Sequence, residues 1–271
     1  MTQQPTHQLL GRRSLGDGLS AMITLLASAL GVWAFVRPFY SPIEQGAATS
    51  ARAGEAPFLI LGLLGLCLLV VIANLETRRM DSRLVAVLGV LVGLNAALRL
   101  VSGPLGASAM FLLPILCAYV FGAEFGFLLG ALSMWVSALL TGGLGPWLPF
   151  QMFGMGWCGL VAGWLPRFPN HPRLELAVLV PWGFVSGFVF GVTLNLWIWP
   201  YLVIETAGQS YGAGLGWGET LWRFMAYYLA TSSWWDAGRA LGNVALLLAV
   251  GPPVLRLLRR FERRFRFEIV D

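Results

Sequence analysis

Residues 83–99 read Arg83-Leu-Val-Ala-Val-Leu-Gly-Val-Leu-Val-Gly-Leu-Asn-Ala-Ala-Leu-Arg99. Between the two arginines stands one polar side chain, Asn95; the rest is Leu, Val, Ala and Gly. A helix of this length covers most of a hydrocarbon layer roughly 30 Å thick, with a guanidinium at either end able to reach water. The stretch therefore reads as a membrane-crossing helix with two unlike faces. Gly89, Gly93 and Ala97, four apart, form a small-residue stripe that lets another helix approach closely. Each helical residue turns about 100°, so Asn95 lies about 200° from Gly93 and points away from that stripe, toward a polar interior. Arg99 reaches either a ligand group or the membrane surface.

The rest of the chain has the same character. Apolar residues make up 57% of 271 positions and charged ones 11%, a balance that no water-exposed surface carries at this length. Apolar runs near 19–37, 56–75, 83–100, 107–122, 124–141, 149–165, 176–200 and 236–255 predict eight helices, the fourth short and bent by Pro114. The first run continues from Leu19 to Val36, which predicts an anchor and not a cleaved leader. All 18 basic residues are arginine. Arg12 with Arg13, Arg78 with Arg79 and Arg83, Arg167 with Arg173, and Arg256 to Arg266 fall at every second boundary. Such clustering is a topology signal and not a nucleic-acid surface. It predicts a multi-pass protein of the bacterial inner (plasma) membrane with both termini cytoplasmic and with loops 38–55, 101–106, 142–148 and 201–235 outside. The irregular 38–55 linker and the basic 76–82 turn divide the chain into an appended hairpin at 1–82, a six-helix module at 83–255 and a cationic tail at 256–271, the tail suited to anionic membrane lipid.

Several function classes lose their parts. Cys67, Cys117 and Cys158 stand singly in apolar runs, and His7 and His171 lie outside them, so neither a metal centre nor a Ser-His-Asp hydrolase is assembled and no cofactor is expected. Without lysine a Walker A motif is impossible, so the chain carries no ATPase of its own. The candidate binding residues are polar and indole groups near the outer ends of the helices. Trp147 and Gln151 follow the Gly/Pro-rich turn 142–148, where the indole offers a flat apolar wall and the amide fixes orientation. Trp147 also fits an ordinary interfacial belt. Asn195 and Trp199 end the seventh span; an amide buried among Leu and Trp needs a partner, either a neighbouring helix or a solute. Trp235, Asp236, Arg239 and Asn243 open the last span, with Asp236 and Arg239 spaced to pair. Ahead of them Leu221, Met225 and Tyr228 recur at helical spacing, predicting a short amphipathic helix across the outer mouth as a lid.

Three segments, Leu94-Asn-Ala-Ala-Leu-Arg99, Ser133-Met-Trp-Val-Ser-Ala-Leu-Leu-Thr-Gly-Gly-Leu-Gly-Pro-Trp-Leu-Pro-Phe-Gln-Met-Phe153 within 127–163, and Trp235-Asp-Ala-Gly-Arg-Ala-Leu-Gly-Asn243, resemble the substrate-binding S components of energy-coupling factor (ECF) transporters, in the actinobacterial or chloroflexal style. The likeness covers about 83–260 and is nearest to cobalamin-type members; the many Trp residues also suit riboflavin or another flat heterocycle. It implies an all-α, polytopic six-helix bundle, here preceded by an extra two-helix transmembrane hairpin. It also implies a vitamin pocket closed by the loops after the first, third and fifth helices of that bundle. Gly89, Gly93 and Ala97 match the position where such proteins dock on a transmembrane coupling (T) subunit, which two cytoplasmic ATP-binding subunits drive. Two rival readings compete with it. A membrane-embedded enzyme acting on lipid or isoprenoid needs paired carboxylates, yet Asp236 and Glu124 are expected on opposite sides of the bilayer. A stand-alone secondary transporter needs coupling residues at mid-depth, where only Asn195 and Asn243 are expected and neither carries a proton.

Overall fold

The computed structural model describes residues 6–40, 54–76, 80–169, 171–206, 208–212 and 214–265. Arg78, Arg79, Arg266 and most of the 38–55 linker lie outside the described residues. Regular structure within them is helical, with one isolated bridge, Ser102 to Ser108, and no strand. The elements are α1 (Thr6–Val36), α2 (Ala56–Glu76), α3 (Ser82–Leu98), α4 (Leu112–Phe121), α5 (Ala123–Thr141), α6 (Leu148–Ala162), α7 (Pro172–Ile198), α8 (Trp217–Thr231) and α9 (Ser233–Phe265). Each of the eight apolar runs overlaps a helix, and α8 is the amphipathic insert before the last. The architecture is an all-α polytopic membrane protein: a six-helix bundle (α3–α7 and α9) preceded by the α1–α2 hairpin.

Among the described residues five helices are long and apolar enough to cross a bilayer, while α3, α4 and α6 are shorter. The shortness of α4 and α6 has a physical reason. At 1.5 Å per residue α4 rises only about 15 Å, but every residue in it except Phe121 is buried, and most of α6 is buried too. Surrounded by other helices, these two need not match the thickness of the lipid. Two boundaries differ from expectation. The run at 107–122 is not one helix: residues 101–108 form an irregular loop with a 3-10 turn at Pro104–Gly106, a second 3-10 turn follows at Ala109–Phe111, and α4 begins only at Leu112. Irregular backbone at this depth needs protein cover, and α9 supplies it. A Cβ on Gly238 would lie 2.1 Å from the Leu105 carbonyl oxygen, and one on Gly242 would lie 2.7 Å from Ala107 Cβ. Leu105 itself holds a left-handed φ of 52°, uncommon for a residue with a side chain. At the other end α9 does not stop at the Pro252-Pro253 pair but continues to Phe265, although each proline removes a helical hydrogen bond. Leu255 and Leu258 are buried beyond the pair and hold the helix in place.

Helix crossings are set by glycine. A Cβ on Gly159 would stand 2.3 Å from the Gly126 carbonyl oxygen, so the α5 and α6 backbones touch. Gly183, Gly187 and Gly191 line α7 where α9 crosses it, facing Leu247, Ala240 and Asp236 in turn. The hairpin joins the same core: Gly31 lies against Phe153 and Trp157 of α6, and the Trp157 indole donates to Ser28 Oγ at 3.2 Å. Asn74 Nδ2 donates to Ser20 Oγ at 2.6 Å and ties α2 to α1. Leu25, Leu26, Phe58, Leu61 and Leu68 remain exposed on its outer side, as a lipid-facing surface requires.

The bundle has two distinct ends. One carries Arg83, Arg167, Arg173 and the arginines from Arg256 to Arg263, and is called here the arginine end. The other carries loops 101–111, 142–147 and 199–216 and the α8 helix, and is called the loop end.

Candidate functional site

The polar residues at the loop end fall into two buried sets. The first joins α3, α5 and α6. Asn95 is 0% exposed, and its Nδ2 donates to Ser133 Oγ at 2.9 Å, which in turn donates to the Gly130 carbonyl at 3.0 Å. About one turn further out, Arg99 Nη2 donates to Gln151 Oε1 at 3.0 Å. Asn95 Oδ1 and the buried Ser137 Oγ have no hydrogen-bond partner among the described residues. The stripe of Gly89, Gly93 and Ala97 lies on the opposite face of α3, exposed and flanked by Val90 and Leu94, 72% and 50% exposed. A Cβ placed on Gly89 or Gly93 would meet nothing within 4 Å. α3 therefore presents polar atoms inward and bare backbone outward.

The second set joins α7, α8 and α9. Asp236 accepts from Tyr228 Oη at 2.8 Å and from Arg239 Nη1 at 2.5 Å. Arg239 Nη1 also donates to the Gly187 carbonyl at 3.4 Å, and the guanidinium lies 5.4 Å from the centre of the Phe190 ring, a cation–π contact. Asp236 fits only because residue 191 is glycine, for a Cβ there would fall 1.7 Å from its Oδ2. Asn195 Nδ2 donates to the Gly191 carbonyl of its own helix and its Oδ1 accepts from Ser232 Oγ in the turn between α8 and α9, both at 2.8 Å, so this amide is partnered within the chain. Asn243 Nδ2 donates to the Gly183 carbonyl at 2.9 Å. Its Oδ1 and Arg239 Nε are buried without a partner. The gap beside Asn243, lined by Phe111, Ile115 and Leu246, is too tight to admit water.

The indoles behave differently from one another. Trp199 is buried, donates to the Gln209 carbonyl at 2.8 Å, and packs against Phe39, Tyr211 and Phe224. Trp147 and Trp235 stay 39% and 55% exposed, with Trp147 folded over Gly145 and Trp235 under Gly106. The expected amphipathic helix exists as α8, but Phe224, Tyr227 and Tyr228 form its buried face, whereas Leu221 and Met225 are exposed. Tyr211 Oη donates to the Phe39 carbonyl at 3.2 Å, so the outer end of α1 is part of the cap. Reasoning on the sequence missed Ser133, Gly191, the Tyr228 hydroxyl and Phe39. The four-residue spacing of Gly183, Gly187 and Gly191 was the one local signal available; Phe39 carried none.

The polar sets, the cap and the open α3 stripe all lie in one segment of chain, save Phe39. A family model described as ECF transporter, substrate-specific component, matches residues 83–263. The chain belongs to that family. No curated protein and no solved structure matches it. The ECF match begins at the start of α3 and ends inside α9, so it takes in both polar sets and α8. The α1–α2 hairpin lies outside it, although its Phe39 closes the cap of the substrate-specific component. The protein is thus a transporter's substrate-specific subunit, multi-pass in the membrane, and not an enzyme.

Proposed function

We propose that this chain captures a vitamin of the cobalamin type outside a bacterial inner membrane and delivers it by docking on a transmembrane coupling subunit driven by two cytoplasmic ATPases. In this reading both termini are cytoplasmic, residues 83–255 form the binding module, and the loops at 101–106, 142–148 and 201–235 cover the solute. Asn95, Arg99, Trp147, Gln151, Asn195, Trp199, Trp235, Asp236, Arg239 and Asn243 contribute the binding groups, and Gly89, Gly93 and Ala97 the docking face.

One observation carries the reading: the two faces of α3. Glycine inside a helix costs about 1 kcal/mol relative to alanine, and between α5 and α6 that cost is offset by close packing. Gly89 and Gly93 gain no such contact among the described residues, since nothing there lies within 4 Å of a Cβ. A partner helix from outside the chain accounts for them. On the inner face the unpartnered Asn95 Oδ1, and across the bundle Arg239 Nε, offer hydrogen-bonding capacity that a polar solute can use.

Thermal unfolding of the purified protein against a panel of vitamins tests this. A solute at a hundredfold excess over its Kd adds about 2.7 kcal/mol of stability, and cobalamin is expected to give the largest upward shift. Riboflavin in first place replaces the solute while keeping the function; a flat response across the panel refutes vitamin capture.

A further inference from the structure

At the arginine end, α7 and α9 leave a cavity of about 250 Å3 between them. Glu175 and Leu176 line it from α7, and Leu255, Arg256 and Arg259 from α9. Its chemistry is divided, with leucine on one part of the wall and guanidinium on the other. The Glu175 side chain is only 3% exposed and is ion-paired with Arg259, whose Nη1 also donates to the Pro169 carbonyl at 3.3 Å. Arg259 is therefore held in place. Arg256 is exposed, makes no ion pair among the described residues, and contacts the chain through a long 3.4 Å donation from Nε to the Pro252 carbonyl. Two arginines against one carboxylate leave the lining with a net positive charge.

The start of α7 beside this cavity adds little, since Pro172 at its first position has no N–H and Glu175 already places a carboxylate in its first turn; the positive charge is that of Arg256 and Arg259. Leu174, Leu257 and Phe261 are exposed on the same two helices, as lipid-facing residues are. Basic pockets between membrane helices at the headgroup level hold anionic lipid.

We propose that the α7/α9 cavity is a binding site for an anionic phospholipid, the phosphate on Arg256 and the first acyl carbons on Leu176 and Leu255. The lipid bridges the start of α7 and the extension of α9 beyond Pro253. This assignment is independent of which solute the loop end takes.

The test compares the full chain in phosphatidylcholine nanodiscs with and without phosphatidylglycerol, reading lipid affinity by native mass spectrometry and unfolding temperature in parallel. Phosphatidylglycerol is expected to bind preferentially and raise the unfolding temperature. Arg256→Gln, at an exposed position, should weaken that binding about fivefold. Arg263→Gln, exposed on the same helix but outside the cavity, should change it less than twofold. Equal losses from the two variants mean diffuse attraction to the basic tail and overturn the site. Glycerol phosphate stabilising as well as the lipid makes this a soluble-anion pocket, which overturns the lipid assignment. Loss of a co-purifying coupling subunit in Arg256→Gln, with lipid binding unchanged, makes the cavity a protein interface and overturns it as well.

Discussion

The two ends of the bundle are fixed by different means. At the arginine end the chain is pinned by bonds to backbone carbonyls and by one buried ion pair. Arg167 donates to the Tyr119 and Gly163 carbonyls, Tyr119 Oη donates to the Pro166 carbonyl, and Arg259 joins Glu175. Every one of these links is a local clamp between neighbouring helix ends. At the loop end the arginines take side-chain partners, Arg37 with Glu55, Arg99 with Gln151, Arg223 with Glu219 and Arg239 with Asp236, with longer carbonyl contacts from Arg223 and Arg239 at 3.5 and 3.4 Å. The cap is held by ring contacts around Trp199 and by single carbonyl bonds from Trp199 to Gln209 and from Tyr211 to Phe39. Asn95 Oδ1, Ser137 Oγ and Arg239 Nε are buried toward this end with no partner among the described residues. Ring contacts and partly exposed side-chain pairs separate and re-form more readily than the buried Glu175–Arg259 pair and the carbonyl clamps beside it. The difference suits a molecule that must admit a solute at one end while holding its shape at the other.

Breaking a clamp at the arginine end should have the largest effect. Arg259→Ala leaves Glu175 buried without its counter-charge, a loss of about 3–5 kcal/mol. The exposed i,i+4 pair at the loop end sets the contrast: Arg223→Ala should cost about 0.3–0.5 kcal/mol. Thermal unfolding of both variants measures the gap, and equal shifts would dissolve the distinction between the ends. Next comes glycine chemistry. Gly191→Ala drives a methyl group into the Asp236 carboxylate and should cost about 1–3 kcal/mol, while Gly93→Ala, with open space around it, should raise stability by up to about 1 kcal/mol. Opposite signs from one substitution type would separate an internal crossing from an outward face. The most local effect is expected from Phe39→Ala, at about 0.5–1.5 kcal/mol for each lost ring contact. Hydrogen exchange should speed up over residues 199–212 and stay unchanged around the turn where Arg167 meets Tyr119.

Much of the fold was legible because hydrocarbon imposes length and composition directly on a helix. The arginine-bounded run of α3 sits where its ends predict, and the 100° step between residues correctly separates the buried Asn95 from the exposed Gly93. The pairing of Asp236 with Arg239 was readable for the same reason, being a spacing within one helix. What escaped depended on other elements. α9 runs through two prolines because its far half packs on α7, and no local signal reports that. The start of the 107–122 run is irregular where Gly238 and Gly242 of α9 let the loop backbone pack closely against that helix. α8 is apolar or aromatic on both faces, so periodicity chose Leu221 and Met225 where packing chose Phe224 and Tyr227. The Glu175–Arg259 pair joins helices distant in sequence, and neither residue is unusual on its own.

The two-faced α3 can be tested most directly by a double dissociation in one protein. Asn95→Ala and Gly93→Leu lie two residues apart on opposite faces, and the leucine has open space to occupy. Solute-induced thermal stabilisation and co-purification with the coupling subunit are measured for both variants. Asn95→Ala should lose the stabilisation and keep the partner; Gly93→Leu should keep the stabilisation and lose the partner. Both functions lost together in each variant, or both retained, would contradict the division of labour between the two faces.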